Sequence, residues 1–150
     1  MNAVDIFTWV NRHNRLINIT ALPLILIMVA GVGIFVYYTG GIKYVYSHSM
    51  YVPIVLSGMV YGIKGGVAVA GLGGLVLGPY MPIDVTTGEM QQTLNWLYRA
   101  GFFVLIGALS GIASDTVRSY VRHLIWLSRH DPATKLPNRL ALMDDLGEIS

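Results

Sequence analysis

Arg99 poses the sharpest chemical question in this chain. It lies one turn into the apolar stretch Leu94 to Ala113, where a guanidinium is costly unless it pairs or meets water. Asn95 stands four residues earlier, so the two share a helical face, with Trp96 between them. Polar and aromatic groups gather earlier in the chain at Tyr44, Tyr46, His48, Tyr51, Tyr80 and Asp84. One reading is a shallow pocket on the outer side of a membrane. Arg99 would anchor an anion or a carbonyl there, Asn95, Trp96, His48, Tyr51, Tyr80 and Asp84 would contribute to its lining, and the aromatic residues would form the walls. The other is interfacial anchoring, with Tyr and Trp in the aromatic belt and Arg99 snorkelling or bridging to Asp84 or Glu89. His48 could ligate haem or a metal, although a hydrogen-bonded interfacial histidine is the plainer role. His13, His123 and His130 show no ligand spacing, and the chain has no Cys, which excludes disulfides, thiolate metal sites and thiol redox chemistry. No cofactor or metal is expected in these residues.

The elements that must position Arg99 belong to a membrane protein. Hydrophobic residues make up 54% of the 150-residue chain and charged residues 12%, about half the charge of a soluble domain, with mean hydropathy +0.58. A net charge of +2 and a pI near 9.0 are too mild for nucleic-acid binding, and no basic stripe with interleaved aromatics occurs. The lipid bilayer is the expected partner. Residues 1–16 predict an amphipathic helix in the inner interface, with Trp9 at headgroup depth; a frayed terminus also fits. Arg12 and Arg15 precede a long apolar run with no small-residue cleavage site, which reads as an uncleaved helix.

The membrane region is expected over residues 17–113. Ile17 to Tyr38 carries no charge and is long enough to span ~30 Å of hydrocarbon, with Pro23 expected to kink it or mark an early turn. Residues 50–81 hold two apolar runs split by Lys64, Gly65 and Gly66. They suit either a pair of short membrane helices turning at Lys64 or a re-entrant hairpin buried in protein; the pair is preferred. Gly58 with Gly62 and Gly74 with Gly78 form GxxxG pairs, joined by Gly71 and Gly73, which predicts close helix packing. A nucleotide-binding role for these glycines is weak, since no strand precedes them. The stretch around Asp84 and Glu89 predicts an outer loop leading into a short helix. Arg12, Arg15, Lys64, Arg118, Arg122 and Arg129 would then be cytoplasmic, against Lys43 and Arg99 outside. That bias predicts an all-α, polytopic helical bundle of about four transmembrane helices with both termini in the cytoplasm.

Residues 114–130 turn polar and predict a helix leaving the membrane. Val117, Val121 and Leu124 are spaced by four and three, which suits the seam of a dimeric coiled coil. Beyond it, Asp131-Pro132 forms a helix start, Pro137-Asn138 interrupts, and Leu140, Leu142, Met143 and Leu146 give a second apolar face.

The stretch "DPATKLPNRLALMDDL" resembles the opening of the GGDEF domain family, the diguanylate cyclases, which usually reads D-x-L-T-G-L-x-N-R. Asp131, Thr134, Leu136, Asn138 and Arg139 match, while Ala133 and Lys135 depart from the usual Leu and Gly. The resemblance covers only residues 131–150. It implies a parent that joins two GTP into cyclic di-GMP as a homodimer, with Mg²⁺ managing phosphate charge. The catalytic signature does not occur in these residues, so the fragment itself is not expected to be an enzyme. The membrane part resembles small sensor domains that precede GGDEF domains and histidine kinases, with some similarity to substrate-binding components of vitamin transporters. The expectation is a multi-pass sensor of the bacterial inner membrane that detects an unidentified small-molecule signal and regulates a cyclase. A transport-related solute-binding protein and a passive dimerising anchor are the alternatives.

Overall fold

A computed structural model describes residues 14–129. The expected interfacial helix of residues 1–16 falls mostly outside them. The GGDEF-like opening, with Asp131, Thr134, Leu136, Asn138 and Arg139, lies wholly outside. The chain divides into two units, residues 1–114 and 115–150.

Helix dominates the described residues, in the order α1 (Asn14–Tyr38), a 3-10 helix (Val45–Met50), α2 (Tyr51–Val76), β1 (Pro82–Asp84), β2 (Glu89–Met90) and α3 (Thr93–Arg129). Three segments, Ile19–Tyr38, Val45–Val76 and Thr93–Leu127, are long and apolar enough to cross a membrane.

α1 runs through Pro23. The missing N–H removes one helical hydrogen bond, and the expected kink does not end the helix. At the other end Thr39 Oγ1 shares its one hydrogen between Phe35 O (2.8 Å) and Val36 O (3.1 Å), carbonyls that also accept from Thr39 N and Gly41 N. Gly41 follows at φ +99°, and a β-carbon there would sit 2.5 Å from Ile83 O. Only glycine supplies both that backbone and that clearance.

α2 is bent back on itself. Its break is at Gly62 (φ 70°, ψ −160°), two residues before the Lys64-Gly65-Gly66 turn expected from sequence. Lys64 through Gly66 belong instead to the second arm. The left-handed φ is what a side-chain-free residue permits, so the chain turns where that freedom coincides with close packing. A β-carbon on Gly73 would meet Met50 and Ile54, and one on Gly65 would meet Ser57 and Tyr61. Contacts between residues so far apart in sequence define a helical hairpin with arms 51–61 and 63–76.

α3 packs along this hairpin through small residues. Gly74 faces Ala100, Gly66 faces Gly107, and Gly111 meets Gly62 and Ile63. The second arm is therefore antiparallel to α3. Ile54 against Gly107, Gly58 against Ser110, and the 2.8 Å bond from Ser114 Oγ to Met59 O run the other arm parallel to it. From Thr93 to Gly111 the helix rises about 27 Å, so the hairpin tip lies nearly a hydrocarbon thickness from the loop end. The tip is also level with the turn preceding Asp115, the first charge after Arg99. Of the small residues expected to pack, Gly71 faces open space, and a β-carbon there would meet nothing within 4 Å. The core gathers Ile25, Val29 and Val36 of α1, Met50 of the 3-10 helix, Ile54, Val69 and Ala70 of the hairpin, Leu77, Met81 and Phe103.

The stretch around Asp84 and Glu89 was expected to be an outer loop leading into a short helix. It forms a two-stranded antiparallel ribbon instead, β1 with β2, and enters α3 directly at Thr93. Residues 40–43 lie along β1: Ile42 N donates to Pro82 O (3.2 Å), Lys43 N to Ile83 O (3.1 Å), and Val85 N to Gly40 O (3.2 Å). Residue patterning over so short a ribbon carries no period. Its pairing comes from backbone groups that need partners.

In the second unit, residues 115–129 are helical. Val117 and Leu124 are exposed and Val121 is half-buried.

Candidate functional site

At the loop end the first unit holds a cavity of about 480 Å³. One wall is the segment after α1, with Ile42, Lys43, Tyr44 and Val45. Ser47, His48 and Tyr51 follow at the start of the hairpin, and Tyr98, Arg99 and Phe102 come from α3. Its size falls within the range of small-molecule sites.

Arg99 and Gln91 form the polar frame. Arg99 sits in the second turn of α3, and Gln91 lies in the short link between β2 and α3. Gln91 Nε2 donates to Leu77 O (3.0 Å), Met81 O (2.9 Å) and Gly78 O, all just past the second hairpin arm. Three carbonyls can only accept, so the amide nitrogen must face them. Gln91 Oε1 then accepts from Arg99 Nη2 at 2.7 Å, and the same nitrogen donates to Leu77 O. A cation and an amide thus cap open carbonyls at a helix C-terminus, where positive charge is favoured. The bridge to Asp84 or Glu89 weighed from sequence does not form. Among the described residues Arg99 makes no ion pair.

Asp84 is occupied elsewhere. Its Oδ2 accepts from Lys43 Nζ at 2.7 Å, and its Oδ1 accepts from Thr86 N (2.9 Å) and Thr86 Oγ1 (2.6 Å). The bond from Lys43, then those from Thr86, hold the Asp84 carboxyl well below the usual carboxylate range. The bond to Asp84 raises Lys43 in turn. Lys43 also lies over the Tyr44 ring, 5.2 Å from its centroid.

His48 Nδ1 lies 2.9 Å from Val45 O. A carbonyl only accepts, so that nitrogen carries the hydrogen. The His48 ring meets Tyr51 edge-on at 5.6 Å, and Tyr51 meets Phe103 edge-on at 5.4 Å. Phe103 is 1% exposed, so a row of rings runs from the cavity wall into the core. Among the described residues no three His, Asp or Glu side chains gather as metal ligands.

Of the residues singled out from sequence, Arg99, Tyr44, His48 and Tyr51 line the cavity together, and Tyr46 does not. Asp84 stands behind its wall through Lys43. Tyr80 is 88% exposed, Asn95 is exposed and Trp96 half-buried, and none of the three lines it. Sequence reasoning passed over Gln91, Lys43 as a wall, and the Tyr98–Phe102 pair, whose rings lie 5.1 Å apart. The pair had a usable signal, two aromatics four apart flanking Arg99. Gln91 had none, being eight residues from Arg99 and outside the helix.

Comparison with family models, with curated proteins and with solved structures finds no match to this chain.

Proposed function

We propose that the chain is the sensing and transmitting part of a membrane receptor in the bacterial inner membrane. It crosses the membrane four times, the Gly62 hairpin supplying two crossings, with both termini in the cytoplasm. A small molecule taken up in the loop-end cavity shifts the packing of α3. Residues 115–129 carry that shift to a GGDEF-type output domain, which works as a homodimer with Mg²⁺ and GTP. The observation that carries this reading is the makeup of the cavity wall. Tyr98, Arg99 and Phe102 belong to α3 itself, and Tyr51 reaches the same helix through Phe103. Anything bound in the cavity touches the helix that leads, in sequence, to Asp131 and the GGDEF-like opening.

A transport-related protein would use the same cavity but has no use for that terminal motif, and a passive anchor has no use for the cavity. The test is the coding region beyond Ser150 together with cyclic di-GMP measured in cells expressing the intact gene. An intact GGDEF or GGEEF signature and a cyclic di-GMP level altered by Phe103→Ala support the proposal. A reading frame without such a domain sinks it.

A further inference from the structure

The cavity, taken as the receptor's binding site as proposed above, has a charge count that narrows its ligand. Arg99, Lys43 and His48 line it, and no carboxylate does. Lys43 is already matched by Asp84. Of the lysine and the arginine, the one without an ion-pair partner among the described residues is Arg99. Both of its acceptors, Leu77 O and Gln91 Oε1, sit on Nη2. Nη1 and Nε engage no acceptor among the described residues. A guanidinium grips a carboxylate with two parallel bonds only through a pair of donors that includes Nη2; with Nη2 spent on structure, Nη1 remains to give an anion one charge-assisted bond.

The remaining walls are aromatic. Tyr44, Tyr51, Tyr98 and Phe102 place four rings around the cavity, and rings prefer offset or edge contacts with another ring. A dianion would bring one charge more than Arg99 matches. A small aliphatic anion would leave the rings in contact with water.

We infer that the cavity takes a small aromatic monocarboxylate, its carboxylate on Arg99 and its ring among Tyr51, Tyr98 and Phe102. The ligand takes one bond from Arg99 Nη1 and leaves Leu77 and Gln91 on Nη2.

The test is isothermal titration of the full chain in lipid nanodiscs at pH 7 with four probes: benzoate, benzamide, acetate and inorganic phosphate. Benzoate should bind saturably and at least about tenfold more tightly than benzamide, the difference expected when one charge-assisted contact becomes neutral. Acetate and phosphate should bind more weakly than benzoate. Phe102→Ala, which removes a ring and no hydrogen bond, should weaken benzoate several-fold and leave acetate unchanged. Arg99→Gln should abolish the preference for benzoate over benzamide. Because Arg99 also caps a helix end, the probe comparison on the unaltered chain decides even if that variant fails to fold. Equal binding of benzamide and benzoate, or no binding of benzoate, overturns the inference. Equal binding would still leave a receptor for a neutral ligand. Conversely, selective benzoate binding to a gene product with no output domain would keep the ligand class and remove the receptor.

Discussion

Replacing Gln91 with Leu should loosen the loop end of the bundle by an amount its hydrogen bonds define. Nε2 faces three carbonyls, Leu77, Gly78 and Met81, but carries two hydrogens, so it makes at most two full bonds, worth about 1 kcal/mol each. Oε1 accepts from a cation, worth about 1.5–3 kcal/mol. The residue is half-buried, so water replaces part of the loss and a net cost of about 2–4 kcal/mol remains. For a chain of this size that corresponds to a fall in Tm of roughly 5–15 °C, read by circular dichroism in nanodiscs. Gln91→Glu sharpens the test. It strengthens the contact with Arg99 but turns a carboxylate oxygen towards three carbonyls, so it should melt below the unaltered chain. A fall under about 2 °C for Gln91→Leu, or a Gln91→Glu variant melting at or above the parent, would refute this account of the helix end.

The helix contacts make a paired prediction. Gly107→Val should cost about 3 kcal/mol or more by overpacking, because a β-carbon there collides with the Gly66 backbone. Gly71→Ala should be neutral or stabilising by up to ~1 kcal/mol, since nothing lies within 4 Å; thermal melts distinguish the two. For Asp84, the lowered carboxyl contributes stability that is complete above about pH 4 and lost as pH falls through the lower folded value. The raised Lys43 contributes below about pH 10 and loses its share as pH rises through the higher folded value. Protection of the Thr86 N–H, its exchange rate taken relative to the intrinsic rate at each pH, should therefore hold between those limits, and Asp84→Asn should lower it throughout. A cysteine at Lys64, beside the hairpin turn, should label from the cytoplasmic face alone; labelling from outside alone contradicts the four-crossing arrangement.

The helices were legible because their signals are long. A charge-free run such as Ile17 to Tyr38 leaves lipid as its natural solvent, and the spacing of small residues at Gly58, Gly62 and Gly74 marks where backbones approach. The turn of the hairpin was harder to place. Lys64, Gly65 and Gly66 look like the weakest point in the sequence, yet the chain breaks at Gly62. Breaking there leaves Gly66 free to meet Gly107 and sets Gly62 against Gly111. The choice among four nearby glycines was made by the partner helix, and no local pattern contains the partner.

The site divides along the same line. Arg99 announced itself because an arginine at that depth must have an explanation, and the sequence offered a ligand's anion or carbonyl, snorkelling, or a nearby acid. The structure gives one nitrogen a partner outside that set, the backbone carbonyl of Leu77, with Gln91 beside it. The acid was the attractive partner on paper because Asp84 and Glu89 are near in sequence. It lost because Lys43, forty-one residues from Asp84, is brought to 2.7 Å by the backbone ladder between residues 40–43 and β1. That ladder consists of main-chain bonds donated by Ile42, Lys43 and Val85, which every residue type but proline can make. Side-chain chemistry therefore identified the residue under tension, while sequence-independent backbone bonding decided which partner relieved it and left half of the guanidinium unspent.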